Sequence, residues 1–211
     1  MNEALRYLGA SGAGEDLREQ VETVARRLAE TLTPRYVYRV YPLTGDGRVT
    51  GTGLVLTGKT AEVMLEECRE VAVLACTLGV EFDRLLRREQ AGDMAGAVVL
   101  DACGSAWVEA GCDQAQAELA QRMPGAYFTD RFSPGYGDLP LALQHELCAA
   151  LDTGKTLGLY VTDSLMLTPT KSVTALIGIS DTPRPARVRG CAFCSLRETC
   201  GLRKGGEGCG R

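Results

Sequence analysis

Four cysteines stand close together near the carboxyl end of the sequence, where thiolates could bind a metal. The run CAFCSLRETCGLRKGGEGC spaces them as C-x2-C-x5-C-x8-C, and its members are Cys191, Cys194, Cys200 and Cys209. Thiolates at such short separations can bind tetrahedral Zn²⁺ or a [4Fe–4S] cluster, because both accept four sulfur ligands. The first three cysteines carry the prediction, and Cys209, flanked by glycines, is the weaker fourth ligand. The alternative is a tail of free thiols, which would be open to oxidation.

The spacing of these cysteines leaves the metal open but favours iron. Paired C-x2-C knuckles are typical of zinc sites, and only one such pair is present. The unequal spacing suits a [4Fe–4S] cluster at least as well, so we expect a cluster, with zinc as the alternative. The C-x3-C-x2-C pattern of radical adenosylmethionine enzymes occurs nowhere in the chain.

The glycine- and proline-rich loop RFSPGYGDLP at 131–140 is the second candidate for chemistry. Two glycines and two prolines within ten residues constrain the backbone, which can then present N–H and C=O groups to a ligand. Arg131 could bind a carboxylate through two guanidinium nitrogens, and Tyr136 could stack on a flat or cationic group. The alternative is a structural turn whose arginine is merely exposed.

Composition and charge are those of an ordinary globular protein. The 211 residues are 45% hydrophobic and 24% charged, and no run reaches the roughly 18 apolar residues that a membrane span needs. We therefore expect a soluble, cytoplasmic protein without a signal peptide. Residues 184–211 hold seven basic and two acidic residues, so the rest of the chain is acidic, which argues against nucleic-acid binding. His145 is the only histidine, which argues against a catalytic triad.

Hydrophobic periodicity predicts the elements that would position these residues. Helical spacing predicts helices over 16–32, 61–70, 80–90, 95–122 and 141–151. Apolar or alternating runs predict strands over 35–42, 52–56, 71–78, 157–161, 165–167 and 173–179. Because several strands have short links and the regular βαβ alternation is missing, we predict an α+β fold with a mostly antiparallel twisted sheet packed with helices. A Pro/Arg linker at 181–190 then leads to a small metal-binding tail at 191–211.

The string formed by Arg131, Pro134, Gly135 and Tyr136 resembles the R-x-x-P-G-Y loop in the activation domain of cobalamin-dependent methionine synthase. Four other strings are similar to the stand-alone version of that domain, namely LRYLG at 5–9, TLG at 77–79, DACGSAWVE at 101–109 and PTKSV at 169–173. The similarity extends over residues 1–180. It implies one S-adenosylmethionine-binding domain over that range, with the fold of the activation domain.

The resemblance also implies a function in reductive reactivation. In that family the domain binds S-adenosylmethionine and docks on a corrinoid protein whose cobalt has drifted to inactive Co(II). One electron makes Co(I), which takes the methyl group from the sulfonium. By position, Arg131 would bind the methionine carboxylate, and the remaining loop residues of the site would be Ser133, Pro134, Gly135 and Tyr136.

Further implications of the resemblance concern a helical residue and the partners. Glu109 corresponds to an acidic family residue that meets the ligand, with a solvent-facing helical glutamate as the alternative. The implied partner is a corrinoid methyltransferase, most simply a methionine synthase that lacks its own activation domain, and this partner supplies the cobalamin. A ferredoxin or flavodoxin is the expected electron donor, and a cluster in the tail would relay the electron.

Two departures from the family pattern leave a rival open. The family loop continues with Cys-Pro-Asp-His, whereas this chain has Asp138–Leu139–Pro140–Leu141, and an aromatic pair after the last strand is replaced by the Pro/Arg linker. Some ligand contacts must therefore differ. The rival function is a binding module with a structural zinc tail that escorts a corrinoid protein without methyl transfer. Another corrinoid system, such as O- or N-demethylation, is a third alternative.

Overall fold

A computed structural model describes residues 2–10 and 12–183, so the predicted metal-binding tail lies outside the described residues. The helices are α1 (Asn2–Tyr7), α2 (Glu15–Thr31), α3 (Lys59–Leu65), α4 (Val80–Gly92), α5 (Met94–Arg122), α6 (Gln144–Leu151) and α7 (Thr153–Thr156), with a 3₁₀ turn at Leu141–Leu143. The strands are β1 (Arg35–Pro42), β2 (Glu70–Thr77), β3 (Tyr127–Phe128), β4 (Tyr160–Val161), β5 (Leu167–Thr168) and β6 (Ser172–Ser180). Within this part of the chain, none of the helices combines the length and hydropathy that crossing a bilayer requires.

Four strands form one antiparallel sheet in the order β1-β2-β6-β3, and β4 pairs with β5 separately. The Arg69 N–H donates to the Ile179 carbonyl beside one end of β2, and the Leu78 N–H donates to Lys171 beside the other. Every side chain from Val71 to Cys76 is at most 1% exposed, which explains the uninterrupted apolar run of β2. The predicted α+β fold, an antiparallel sheet packed with helices, is confirmed.

The chain divides into two compact units. The first comprises residues up to Val37, Ala75–Glu118 and Asp152–Val173, and the second comprises Tyr38–Leu74, Leu119–Leu151 and the described residues from 174 onward. The division passes through β1, β2, α5 and β6. Each unit therefore contains parts of these long elements.

In the first unit, the long helix α5 packs closely on its neighbours. A Cβ atom placed on Gly104 would lie 2.3 Å from Cζ of Phe82, so the glycine lets the ring of α4 approach the α5 backbone. Phe82 is completely buried as a result. The indole N–H of Trp107 donates to the Leu32 carbonyl at 2.8 Å, which fixes α5 to the end of α2. Gly104 thus lets α4 pack closely on α5, and Trp107 hydrogen-bonds α5 to the end of α2.

In the second unit, a hydrophobic cluster joins the last turn of α5 to one face of the sheet. Its fully buried members are Ala72, Leu119, Ile177 and Ile179, and Tyr38, Val40, Met123, Ala126 and Phe128 pack against them. Burial of these side chains is the main favourable contribution to holding the sheet on the helix.

The predicted strands over 157–161 and 52–56 are largely absent from the structure, and the one predicted over 165–167 is observed at Leu167–Thr168. The strand predicted over 157–161 is reduced to its last two residues, because Leu157 and Leu159 both donate N–H groups to the Thr153 carbonyl and Gly158 has a φ of +67°. Residues 157–159 therefore close the end of α7 instead of forming an extended strand. The segment 52–56 contributes only an isolated bridge between Arg48 and Val55. In both places local turn bonds prevail over a short apolar run.

Candidate functional site

The loop after β3 begins on a residue that is fixed to the sheet. The Phe132 N–H donates to the Leu176 carbonyl of β6 at 3.1 Å, and the Leu176 N–H donates back to Phe132 at 2.8 Å. The Phe132 side chain is only 3% exposed. Arg131 and Ser133, on either side, are half-buried. Pairing and burial therefore hold the backbone that carries the predicted carboxylate-binding arginine.

A tight turn follows at Ser133–Tyr136. The Tyr136 N–H donates to the Ser133 carbonyl at 3.0 Å, and Gly135 has a φ of +86°. Proline at the second position and glycine with positive φ at the third are the signature of a type II turn. Pro134 is buried whereas the Tyr136 side chain is 37% exposed, so the turn presents an aromatic ring at the surface.

A second turn closes the loop on itself. The Leu139 N–H donates to the Tyr136 carbonyl at 3.0 Å, and the Gly135 N–H donates to the Leu139 carbonyl at 2.9 Å. Leu139 is 2% exposed and provides an apolar anchor. The loop is thus an ordered structure in which the Gly135 N–H is already used internally. A ligand would meet the arginine, the tyrosine ring and the remaining backbone groups of the turn.

Asp138 joins this loop to the amino end of α3. One carboxylate oxygen accepts the Lys59 N–H at 2.6 Å, and the other accepts the Thr60 N–H at 2.8 Å. The Asp138 N–H donates to the Thr60 hydroxyl at 3.3 Å. Hydrogen bonds from the Thr60 side chain and then from the Thr60 and Lys59 backbone lower the pKa of Asp138 from 3.8 to about 2. Asp138 is therefore ionised at neutral pH, as suits a helix amino end.

Glu109, the acidic residue predicted from the resemblance, lies half-buried on α5 in the first unit. Burial raises the pKa of Tyr7, and the negative charge of the nearby Glu109 raises it further. The same unit contains an open groove of about 380 Å³ whose polar lining includes Tyr7, Asp101 and Ser105. The ligand-binding role of Glu109 stays a prediction.

Three of the strings that carry the resemblance meet in this first unit. Lys171 of PTKSV donates to the Asp101 carboxylate and to the Ser105 hydroxyl of DACGSAWVE, both at 2.9 Å. The Lys171 side chain is only 15% exposed. Leu78 of TLG donates its N–H to the Lys171 carbonyl. These strings therefore share a structural role, in which a half-buried ion pair fastens α5 to the start of β6.

No metal centre is found among residues 2–10 and 12–183, where no three His, Cys, Asp or Glu side chains converge. The five cysteines of this part of the chain are reduced and dispersed. Burial raises the pKa of the Cys103 thiol to about 11, which makes it a poor nucleophile. The predicted ligands Cys191, Cys194, Cys200 and Cys209 lie outside the described residues.

The contacts of Asp138 were not foreseen from the sequence. The sequence showed only that Asp138–Leu139–Pro140 departs from the family pattern after the tyrosine. The side chain of an Asp in a turn commonly accepts a hydrogen bond from nearby backbone, which is the one signal that could have drawn attention to it. Its actual partners, Lys59 and Thr60, are remote in sequence, so only the folded chain identifies them.

The fold is shared with a domain of known structure. No family model matches the chain, and no curated protein matches it significantly, but 13 chains of solved structures do. One of them is the crystal structure of the MetH reactivation domain bound to AdoHcy, S-adenosylhomocysteine. The TM-score is 0.57 at 16% sequence identity, and the match covers 91% of this chain and 73% of that one. At this identity the similarity establishes the fold alone.

Proposed function

We propose that this chain binds S-adenosylmethionine through the loop 131–139 and supports the reductive reactivation of a corrinoid protein. The observation that carries the proposal is the loop itself. An R-x-x-P-G-Y sequence forms a closed, hydrogen-bonded turn on a chain that shares its fold with a domain solved with S-adenosylhomocysteine. The match to that domain supports the ligand class.

Each loop residue has a distinct part in the proposed binding. Arg131 would bind the carboxylate of the methionine moiety with two parallel hydrogen bonds. Tyr136 would lie against the ligand with its exposed ring. Ser133, Pro134 and Gly135 would shape the turn that sets the distance between these two side chains. The protein's contribution is to orient the sulfonium, since positioning a reactant near its attack geometry can supply about 7–11 kcal/mol.

The proposed reaction requires no proton transfer. An external donor gives one electron to the partner's cobalamin, which passes from Co(II) to Co(I). The electron pair of Co(I) then attacks the sulfonium methyl carbon, so a cobalt–carbon bond forms as the sulfur–carbon bond breaks. S-adenosylhomocysteine leaves with the electrons of the broken bond. Methyl transfer from a sulfonium is strongly favourable and draws the unfavourable reduction forward.

The cysteine-rich tail belongs to the same proposal. Cys191, Cys194 and Cys200, with Cys209, would hold a [4Fe–4S] cluster that relays the electron from a ferredoxin or flavodoxin. Anaerobic purification with iron, sulfide and zinc analysis tests this point. About four irons per chain support an electron-delivering protein. Stoichiometric zinc would point to the docking module and to an external reductant. In either case the expected partner is a methionine synthase that lacks its own activation domain.

Replacement of Arg131 by alanine tests the binding site. We expect Arg131→Ala to weaken S-adenosylmethionine and S-adenosylhomocysteine binding by about ten- to a hundredfold, because a hydrogen bond to a charged group contributes about 1.5–3 kcal/mol. Isothermal titration calorimetry measures the affinity. Arg48→Ala is the matched control, since Arg48 is an exposed arginine of the same unit that pairs with Asp46. Equal affinities for the wild type and Arg131→Ala, with both folded, would refute the assigned site.

A further inference from the structure

We infer that Asp138 is a positioning residue of the proposed ligand site, because it fastens the loop that carries Arg131 and Tyr136 to the amino end of α3. The inference rests on the proposed function for the identity of the ligand. It does not follow from the resemblance, in which the sequence after the tyrosine is different. Asp138 would act without touching the ligand.

The bonds between the two segments are reciprocal. The Asp138 carboxylate accepts the first two N–H groups of α3, and the Asp138 N–H donates to the Thr60 hydroxyl. A helix amino end leaves such N–H groups without partners inside the helix. A side chain just before the helix normally accepts them, but that position is Gly58. Asp138 therefore supplies the cap from the distant loop.

Two glycines make this junction tight. A Cβ atom on Gly58 would lie 3.0 Å from a carboxylate oxygen of Asp138, and one on Gly137 would lie 2.2 Å from the Thr60 hydroxyl oxygen. Both glycines have positive φ, +101° and +58°, which other residues adopt at a cost. The loop and α3 therefore approach more closely than side chains at these positions would allow. Such contact restricts the loop to a narrow range of positions.

The position of Asp138 within the loop determines what its loss would change. The hydrogen bonds from Gly135 to Leu139 and from Leu139 to Tyr136 enclose it. Phe132 and Leu139 are 3% and 2% exposed, so we expect both to stay anchored when the carboxylate is removed. Loss of Asp138 should therefore release the exposed segment 135–138, which includes the tyrosine, without unfolding the chain.

Ligand affinity of full-length variants tests the inference. We expect Asp138→Ala to weaken S-adenosylhomocysteine binding by about tenfold or more in calorimetry, because a loop that is no longer held in place must be ordered when the ligand binds. Asp138→Asn keeps one acceptor oxygen and should lie between Asp138→Ala and the wild type. Asp46→Asn is the matched control: Asp46 accepts the Thr44 hydroxyl at 2.5 Å and the Arg48 side chain at 2.9 Å in a turn of the same unit. Its affinity should equal that of the wild type within twofold.

Hydrogen exchange of the amides separates failure of this inference from failure of the proposed function. In Asp138→Ala, the amides of 59–60 and 135–138 should exchange faster in the absence of ligand, while those of β2 and α5 should not change. Faster exchange together with weaker binding supports the inference. If the wild type binds neither S-adenosyl compound, the proposed function fails and the ligand role of Asp138 fails with it. Unchanged exchange in Asp138→Ala, or faster exchange with wild-type affinity, would overturn the positioning role alone.

Discussion

At the scale of single residues, the loop separates recognition from support. Arg131 and Tyr136 are the side chains proposed to meet a ligand. The shape of the loop comes from Pro134 and Gly135, whose φ preferences form the turn, and from Asp138, whose carboxylate holds it in place. The turn residues could be read from the sequence because φ preferences are local. The support could not, because its partners are distant.

The low pKa of Asp138 makes a prediction about acid stability. Its folded-state pKa of about 2 lies below the ordinary 3.8, so the contact stabilises the folded state fully above about pH 4. This contribution is lost as the pH falls through 4 towards 2. We therefore expect Asp138→Asn to lower the urea midpoint at pH 7 and to lower it progressively less between pH 4 and pH 2.5. A difference that stays constant over this range would show that the carboxylate charge does not matter.

At the scale of elements, α5 illustrates why a helix can be rich in small residues. The sequence predicts its length almost to the residue, since Met94–Arg122 has few helix breakers. Its glycines, however, would be expected to weaken a helix. The structure explains Gly104 by the approach of Phe82, a contact between two helices that no local pattern reveals. Short strands were predicted less well than long helices. A short strand pairs through only two or three residues, and hydrogen bonds within local turns compete with that pairing.

Gly104→Ala should therefore destabilise the protein. Its Cβ would lie 2.3 Å from Cζ of a fully buried phenylalanine, and such overpacking costs about 1–3 kcal/mol. Gly92→Ala, at the end of α4 with nothing within 4 Å of the new atom, is the control. It should leave the free energy of unfolding unchanged or raise it by up to about 1 kcal/mol. Urea denaturation measures both, and equal effects of the two substitutions would argue against close packing at Gly104.

At the scale of the whole molecule, ligand binding and metal binding are expected to be separable. The hydrogen bonds that hold the candidate loop join residues between Lys59 and Leu176. The predicted metal ligands begin at Cys191. We propose that the candidate loop binds S-adenosylmethionine and that the cysteines from Cys191 onward serve electron relay.

The double substitution Cys191→Ser/Cys194→Ser tests this division. We expect the variant to lose its metal, because two of four thiolate ligands are removed, and to lose the reactivation of a corrinoid partner driven by a protein electron donor. Its S-adenosylhomocysteine affinity and thermal midpoint should match those of the wild type. Metal analysis, calorimetry and thermal denaturation give the three readouts. A large loss of affinity would mean that the tail takes part in the ligand site.

Features that depend on neighbours along the chain could be predicted from the sequence. These are the long helices, the buried strand β2 and the α+β class, because hydrophobic periodicity acts over a few residues. The contacts between distant groups are known only from the folded chain. The fold places the Asp138 carboxylate on the first turn of α3 and the Lys171 ammonium on Asp101 and Ser105. Such pairs depend on which distant segments the tertiary fold brings together. A carboxylate or an ammonium group can bond to many partners, so its own sequence neighbourhood does not identify the partner.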